Sequence, residues 1–267
     1  MSDNFRICDS HAHIFPDKLA EKAAEAIGDF YGIKMRGAGS VSALLKSGEK
    51  IGVSNYLVCS TATKHEQVDA INTFVAAACE RTPSFWGFGT IHQDFADYEN
   101  ELIRIKSLGL LGVKIHPDFQ SVNIDDSRLL KMYEVCRSLS LPILFHVGDN
   151  RYGFSKAERL RTVAENFKDL KVIAAHLGGY TVWEQSVDII KDLDNVYTDT
   201  SSSLFFLSPE KASRLIRKMP IERVFFGVDF PMWNHDEEYR RYRGLNLTDD
   251  ENERILSKNL ISFLNKE

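Results

Sequence analysis

The stretch LGVKIHPDFQSVNIDDSRLLKMYEVCRSLSLPILFHV, residues 111–147, contains one complete copy of the pattern that decides the fold. Its two ends, Leu111–His116 and Pro142–Val147, are short apolar runs that predict buried strands. Between them, apolar residues recur at helical spacing along one stripe: Leu129, Met132, Tyr133, Cys136 and Leu139. A strand, a helix and a second strand of this length predict a β-α-β unit.

The same unit recurs along the whole chain. From the second strand onward, the strand candidates follow one another every 24 to 32 residues or so. The eight predicted strands are Phe5–Cys8, Ser54–Cys59, Phe85–Ile91, Leu111–His116, Pro142–Val147, Lys171–His176, Asn195–Thr200 and Arg223–Asp229. Eight such units predict an α/β fold of the closed (β/α)8 TIM-barrel type, with residues 1–267 forming a single domain.

An open, doubly wound sheet is the competing fold. It typically carries a glycine-rich phosphate-binding turn after its first strand. Here that turn consists of Asp9-Ser10-His11-Ala12-His13, which contains no glycine. The barrel is therefore the favoured prediction.

Composition restricts the partners and the compartment. The chain has 267 residues, a net charge of −5 and no basic run, which argues against nucleic acid or an anionic membrane as the main partner. No stretch approaches the roughly 18 apolar residues of a membrane span. The acidic start Met1–Arg6 does not resemble a secretory signal, so a cytoplasmic location is expected. Barrels of this size often form homodimers, but no segment identifies an interface.

The four cysteines lie far apart in apolar segments, at Cys8, Cys59, Cys79 and Cys136. A disulfide framework suits short secreted chains, so free buried thiols are expected instead. Cys8 precedes the histidine-rich turn, which leaves a catalytic thiol as a minor alternative.

Histidines gather at the predicted strand ends. Of the eight histidines, six lie at or just after the carboxyl end of a strand, where chance would place roughly one. These six are His11, His13, His92, His116, His146 and His176. Because catalytic sites of barrels lie at this end, the distribution predicts a metal or acid–base site. His65 and His235 lie away from the strand ends and are expected to be ordinary surface residues.

The spacing of these residues favours a metal. Residues i and i+2 of a strand point to one face, so His11 and His13 can converge on one ion. His146 and Asp229 each close an apolar strand. Because an unpaired charge would be costly there, each side chain requires a cation or a strong hydrogen-bond partner. Asp9 shares the parity of the two histidines and is expected to be a supporting carboxylate.

Five motifs resemble the amidohydrolase superfamily, most closely the branch that contains 2-amino-3-carboxymuconate semialdehyde decarboxylase and several lactone hydrolases. They are Cys8–His13, Gly112–Pro117, Phe145–Gly148, Ala175–Gly179 and Gly227–Pro231. The resemblance implies one zinc-like ion held by His11, His13, His146 and Asp229, with His176 as a nearby acid–base group. Zinc is favoured by such ligands, although Mn, Fe, Co or Ni could occupy the same set.

The leading functional hypothesis is hydrolysis of a small carbonyl compound, such as a lactone or an amide, by a metal-activated water. Asp229 would accept the proton of that water, and His176 would polarise the carbonyl or protonate the leaving group. Lys114, with His116 beside it, would bind a substrate carboxylate.

Three alternatives use the same residues. The first is non-oxidative decarboxylation of a small unsaturated or aromatic acid, in which His176 or Asp229 protonates carbon. The second is a binding protein without catalytic activity. The third is a binuclear site in which a carboxylated Lys114 bridges two metals.

Several residues receive weaker interpretations. Ser201–Ser203 are expected to be polar groups of the rim rather than nucleophiles. Asn150 and Arg151 either meet a substrate or belong to a solvated loop. Tyr239–Arg243 is expected to be a surface segment, with an anion-binding lid as the alternative. His92 has no assigned role.

Overall fold

A computed structural model describes residues 5–266 of the chain. Its eight parallel strands pair in chain order from β1 to β8. They are β1 Ile7–His13, β2 Val53–Cys59, β3 Phe85–Thr90, β4 Gly112–Ile115, β5 Ile143–Phe145, β6 Val172–Ala174, β7 Val196–Asp199 and β8 Val224–Phe225. Residues 1–4, which belong to the stretch considered for a secretory signal, and residue 267 lie outside the description.

The barrel closes between β1 and the segment that follows β8. The amide of Ser10 donates to the carbonyl of Phe226 at 2.9 Å, and the amide of Asp229 donates to the carbonyl of His11 at 2.7 Å. Since an open sheet would leave these groups at two separate edges, the (β/α)8 barrel predicted from the sequence is confirmed.

Two strands depart from their predicted bounds, while the other six agree within two residues. β1 extends to His13 rather than ending at Cys8, so the H-x-H pair lies on the strand itself. β8 is shorter than predicted because a 3-10 turn, Ile221–Arg223, precedes it and Asp229 adopts a left-handed φ of 64°.

Helices follow the strands around the barrel. They are α1 Asp17–Tyr31, α2 Val41–Glu49, α3 Val68–Arg81, α4 Tyr98–Ser107, α5 Pro117–Gln120, α6 Ser127–Ser138, α7 Ala157–Asn166, α8 Trp183–Ile190, α9 Pro209–Lys218, α10 His235–Arg243, α11 Asp249–Glu253 and α12 Asn259–Phe263. A 3-10 helix, His65–Gln67, precedes α3, and a π-helix, Arg254–Lys258, joins α11 to α12. Within residues 5–266, no helix combines the length and apolar character needed to cross a bilayer.

Cys8 lies in an apolar cluster with side chains such as Leu57, Phe88 and Phe225. Its thiol is 3.9 Å from the hydroxyl of Ser54, and burial raises its pKa. A raised pKa disfavours the reactive thiolate, and Cys8 does not line the cavity described below. The structure therefore gives the alternative of a catalytic thiol no support, whereas the expectation of free cysteines agrees with the structure.

His235 is not the surface residue that the sequence predicted. Its side chain is fully buried, with Nε2 at 3.1 Å from Oδ2 of Asp9 and Nδ1 at 2.9 Å from the hydroxyl of Ser47. Oδ1 of Asp9 accepts the amides of His11 and Val228, each at 3.0 Å. The reason is that α10 packs against α2, which brings its first residue, His235, to Asp9 of β1. The buried pair thereby joins α10, α2 and β1.

Gly148, in the loop after β5, has a φ of +96°, and an added Cβ would lie 2.3 Å from the amide nitrogen of Tyr180. We expect Gly148→Ala to lower the free energy of unfolding by about 2 to 3 kcal/mol, because the left-handed backbone and the backbone contact both oppose a side chain. Urea denaturation measures this change. Gly153→Ala is the matched control, since its nearest contact would be 3.8 Å away. Equal stability of the two variants would contradict the strain expected from a side chain at residue 148.

Candidate active site

A cavity of about 890 Å³ opens at the carboxyl ends of the strands. Every side chain that the sequence assigned to metal, substrate or catalysis lines it: His11, His13, Lys114, His116, His146, His176 and Asp229. This is the end of a barrel at which catalytic residues are found. The strand-end residues therefore share one site, in accordance with the spacing argument.

His11, His13 and Asp229 form its centre. Oδ1 of Asp229 lies 3.6 Å from Nε2 of His11 and 3.3 Å from Nε2 of His13. The opposite nitrogen of His11, Nδ1, is 3.1 Å from Oδ2 of Asp199 and 3.1 Å from the hydroxyl of Ser201. Because partners outside the centre hold Nδ1, the Nε2 atom of His11 faces the carboxylate of Asp229.

The charges of this centre follow from its burial. Burial, with a contribution from Lys114, lowers the pKa of His11 to about 4, so its imidazole is neutral at pH 7 and keeps a lone pair. Burial alone would raise the pKa of Asp229, but His11 and His13 hold it well below its usual value. His13 differs from His11, because Cys59 and Asp229 outweigh its burial and raise its pKa to about 9. The centre thus combines the neutral imidazole of His11 and the ionised carboxylate of Asp229 with a protonated His13.

His146 reaches the centre through His176. Nε2 of His176 lies 3.0 Å from Nδ1 of His146, while its Nδ1 is 2.9 Å from the hydroxyl of Ser201. The ring of His176 also stacks on that of His11, with centroids 5.2 Å apart. Nε2 of His146 is buried without a hydrogen-bond partner among the described residues, 3.5 Å from Asp118.

The donor set fits a divalent metal. Among the described residues, three groups place one possible ligand atom per side chain within 4.8 Å of one another. They are His11–His13–Cys59, His11–His176–Asp199 and Asp118–His146–Asp149. None of these groups contains more than two of the four predicted ligands, because Asp229 belongs to none of them and His146 lies with Asp118 and Asp149. Imidazoles whose second nitrogen is held by a carboxylate or a hydroxyl are nevertheless the usual ligands of such ions, and His11 has this arrangement.

Lys114 and His116 lie beside the centre. The ammonium of Lys114 is 3.1 Å from Nε2 of His11, and its side chain is buried, which lowers its pKa. Nε2 of His116 is 2.9 Å from the hydroxyl of Tyr31 at the end of α1, and its ring stacks on that of His146. A buried lysine amino group is thus available next to the imidazole–carboxylate centre.

A family model described as amidohydrolase matches residues 8–264 of the chain. The chain belongs to the amidohydrolase family. It is therefore an enzyme of the amidohydrolase superfamily, as its strand-end motifs suggested. No curated protein matches this amidohydrolase in sequence.

Solved structures similar to this amidohydrolase include 5-carboxyvanillate decarboxylase from Sphingomonas paucimobilis, with a TM-score of 0.78, 14% identity and coverage of 99% of this chain and 100% of that chain. A dihydroxybenzoic acid decarboxylase from Polaromonas sp. JS666, with bound manganese and the inhibitor 2-nitroresorcinol, has a TM-score of 0.75, 15% identity and coverage of 98% and 97%. A probable 2-pyrone-4,6-dicarboxylic acid hydrolase from Acinetobacter baumannii, with citric acid bound, has a TM-score of 0.73, 13% identity and coverage of 97% and 99%. Identities this low establish a common fold.

Sequence reasoning missed several supporting residues of this amidohydrolase. Asp199 accepts the amides of His176 and Ser201 at 3.0 Å each, in addition to contacting His11. It closes an apolar strand as Asp229 does, so the same signal could have identified it. Ser202 donates to Oδ2 of Asp229. The serines after β7 therefore hold ligand candidates in place and are more than polar groups of the rim.

The weaker candidates take other roles in the amidohydrolase. Arg151 is not free in a solvated loop, because it donates to both carboxylate oxygens of Asp149 and, at 2.6 Å, to the carbonyl of Phe30 in α1. Asn150 does not line the cavity. Tyr239–Arg243 belongs to α10 and does not line the cavity either, so the structure gives the lid alternative no support. His92 is also outside the cavity, and its Nδ1 accepts the amide of Asp94.

Proposed function

We propose that the chain is a metal-dependent, non-oxidative decarboxylase of a small carboxylated aromatic or unsaturated acid. The observation that carries the proposal is the buried ammonium of Lys114, 3.1 Å from His11 at the edge of the imidazole–carboxylate centre. A carboxylate bound beside this amino group would favour its protonated form, and the resulting ammonium provides a charged hydrogen-bond partner for the carboxylate. The likeness to solved decarboxylases of carboxylated aromatics supports this choice over the hydrolysis that the sequence favoured.

A single divalent metal is part of the proposal, with His11, His13, His146 and Asp229 as its holders. Manganese is bound in a similar decarboxylase, and zinc suits the same imidazole and carboxylate donors. When bound, the ion would supply positive charge that stabilises electron density on the substrate oxygens as the carbon–carbon bond breaks. The convergence of Asp229 with His11 and His13 supports the assignment.

The chain's own residues divide the remaining work. Lys114 and His116 orient the substrate carboxylate. CO2 leaves, the bonding electron pair remains on the substrate carbon, and a proton replaces the carboxylate there. His176 is the proposed proton donor, because it lines the cavity with its Nδ1 fixed by Ser201 and its Nε2 in contact with Nδ1 of His146. Asp229, which is ionised, remains with the metal.

Product analysis in D2O tests the proposal. Incubation of the manganese-loaded chain with 2,6-dihydroxybenzoate, 5-carboxyvanillate and related acids should release CO2 and place deuterium on the carbon that carried the carboxylate. Lactones such as 2-pyrone-4,6-dicarboxylate should remain intact. Opening of the lactone ring without CO2 release from any acid would refute decarboxylation.

Hydrolysis remains the second candidate because the fold is also similar to a probable 2-pyrone-4,6-dicarboxylic acid hydrolase. In that reaction Asp229 would accept a proton from the attacking water, and His176 would protonate the leaving group. The two functions share a carboxylated substrate, so the same panel of compounds separates them.

Lys114→Met should raise the KM for a carboxylated substrate by roughly 30-fold, because a hydrogen bond to a charged group contributes about 2 kcal/mol. The effect on kcat should be smaller, since Lys114 is proposed to bind and not to transfer a proton. Steady-state kinetics measures both constants. Lys22→Met, which removes another lysine from the cavity wall, is the control. An unchanged KM for Lys114→Met would exclude Lys114 from carboxylate binding.

A further inference from the structure

The cavity extends well beyond the polar centre into an apolar chamber. Its walls are residues of α1 and α3, namely Leu19, Ala23, Ile27, Phe30, Ile71 and Phe74. On α1 these residues recur at i, i+4, i+8 and i+11, and on α3 they are i and i+3, so each helix turns one face toward the chamber. We use the term apolar chamber for the part of the cavity bounded by these six side chains.

The volume exceeds what a single-ring acid requires. A cavity of about 150 Å³ suffices for one benzene molecule. The present cavity, at about 890 Å³, is several times larger and falls within the range of roughly 300–1,000 Å³ typical of pockets for drug-sized ligands. A benzoate whose carboxylate is held by Lys114 and His116 would therefore leave the apolar chamber unfilled.

The chemistry of the walls indicates what fills it. The charged groups of the cavity lie either in the buried centre or on exposed residues such as Lys22 and Glu66. Much of the remaining lining is apolar, and two of the six chamber side chains, Phe30 and Phe74, are aromatic. Further rings line the same cavity: Phe15, Phe119, Tyr152 and Phe154. Leu19 leaves 55% of its surface exposed at this place. Such apolar surface in a concave site is characteristic of ligand binding, and aromatic walls favour an aromatic ligand through edge and stacked contacts.

We propose that the substrate carries a second aromatic ring on its carboxylated headgroup, and that the apolar chamber binds this ring. The inference rests on the proposed function only for the position of the headgroup. It narrows the substrate class from single-ring acids to extended, biaryl-type acids. The chamber residues then determine specificity without contacting the reacting carbon.

Equilibrium binding separates this inference from the decarboxylase proposal. Isothermal titration calorimetry of the manganese-loaded chain with salicylate and 4-phenylsalicylate gives two dissociation constants. We expect the phenyl compound to bind at least about tenfold more tightly, since a fully buried apolar ring contributes well over one factor of ten. Equal affinities, weaker binding of the phenyl compound, or no binding of either would overturn the inference.

Two variants locate the ring. Ala23→Phe narrows the chamber from α1, and Phe74→Ala removes an aromatic wall from α3. Each variant should lose most of the preference for 4-phenylsalicylate. Its dissociation constant for salicylate should stay within about twofold of that of the unchanged chain. The matched controls are Ala96→Phe and Phe205→Ala, which are exposed and outside the cavity and should retain the preference. A preference that survives both chamber variants would also overturn the inference. A chain that prefers the phenyl compound but releases no CO2 from any acid would refute decarboxylation and leave the chamber in place.

Discussion

Asp229→Asn is expected to lower the kcat/KM for CO2 release by roughly a thousandfold, within the range seen when an essential charged group of an active site is lost. Oδ1 of Asp229 lies within 3.6 Å of Nε2 of both His11 and His13. Asparagine keeps the shape of the side chain and an oxygen that can accept from Ser202, but it removes the negative charge. The variant should therefore fold and still fail to hold the metal.

Metal content and activity are measured on the same samples. Each protein is loaded with manganese, and unbound metal is removed by dialysis before the bound manganese is determined by mass spectrometry. The content should fall from about one ion per chain in the unchanged protein to near zero in Asp229→Asn, a change that a loss of catalysis alone would not produce. Asp169→Asn is the control, because the side chain of Asp169 is 87% exposed. If Asp229→Asn retained its manganese and more than a tenth of its activity, Asp229 would be neither a ligand nor a catalytic group.

His235→Ala is expected to reduce the free energy of unfolding by about 3 to 5 kcal/mol, the usual cost of removing one partner of a buried pair. The carboxylate of Asp9 would lose its 3.1 Å contact with Nε2 of His235 and remain fully buried. Burial already raises the pKa of Asp9. Without the imidazole, the carboxylate depends on the two backbone amides alone.

The control for this stability change is His65→Ala. The side chain of His65 is half exposed, with an exposed fraction of 51%, so its removal should change stability by less than about 0.5 kcal/mol. Urea denaturation of both variants gives the comparison. A loss below about 1 kcal/mol in His235→Ala would show that the pair with Asp9 does not stabilise the fold.

The contrast between these two histidines shows what the sequence could reveal. Strand-end residues were predictable because a barrel brings the carboxyl ends of all its strands to one place. The sequence positions of His11, His146 and Asp229 were therefore enough to predict that they lie at the site. His235 lies outside the strands, and its burial depends on where α10 packs. A helical pattern does not specify that position.

The supporting groups escaped prediction for a related reason. Asp199 and Ser201 act through hydrogen bonds to His11 and His176, and such partners are selected by side-chain directions that no periodicity encodes. The predicted ligand His146 is another case. Its position along the chain places it at the cavity but does not specify which of its ring nitrogens contacts His176. Position along a strand therefore predicted membership of the site better than it predicted contacts.

The hydrogen bond from the amide of Asp229 to the carbonyl of His11 joins the first strand to the segment after the last strand at the centre of the site. Residues of the first strand and residues that follow the eighth strand must meet before His11, His13 and Asp229 can come together. A nascent or truncated chain that lacks the last strand consequently has no such centre, however well its other strands have folded. Acquisition of activity is thereby deferred until the ring of strands is complete.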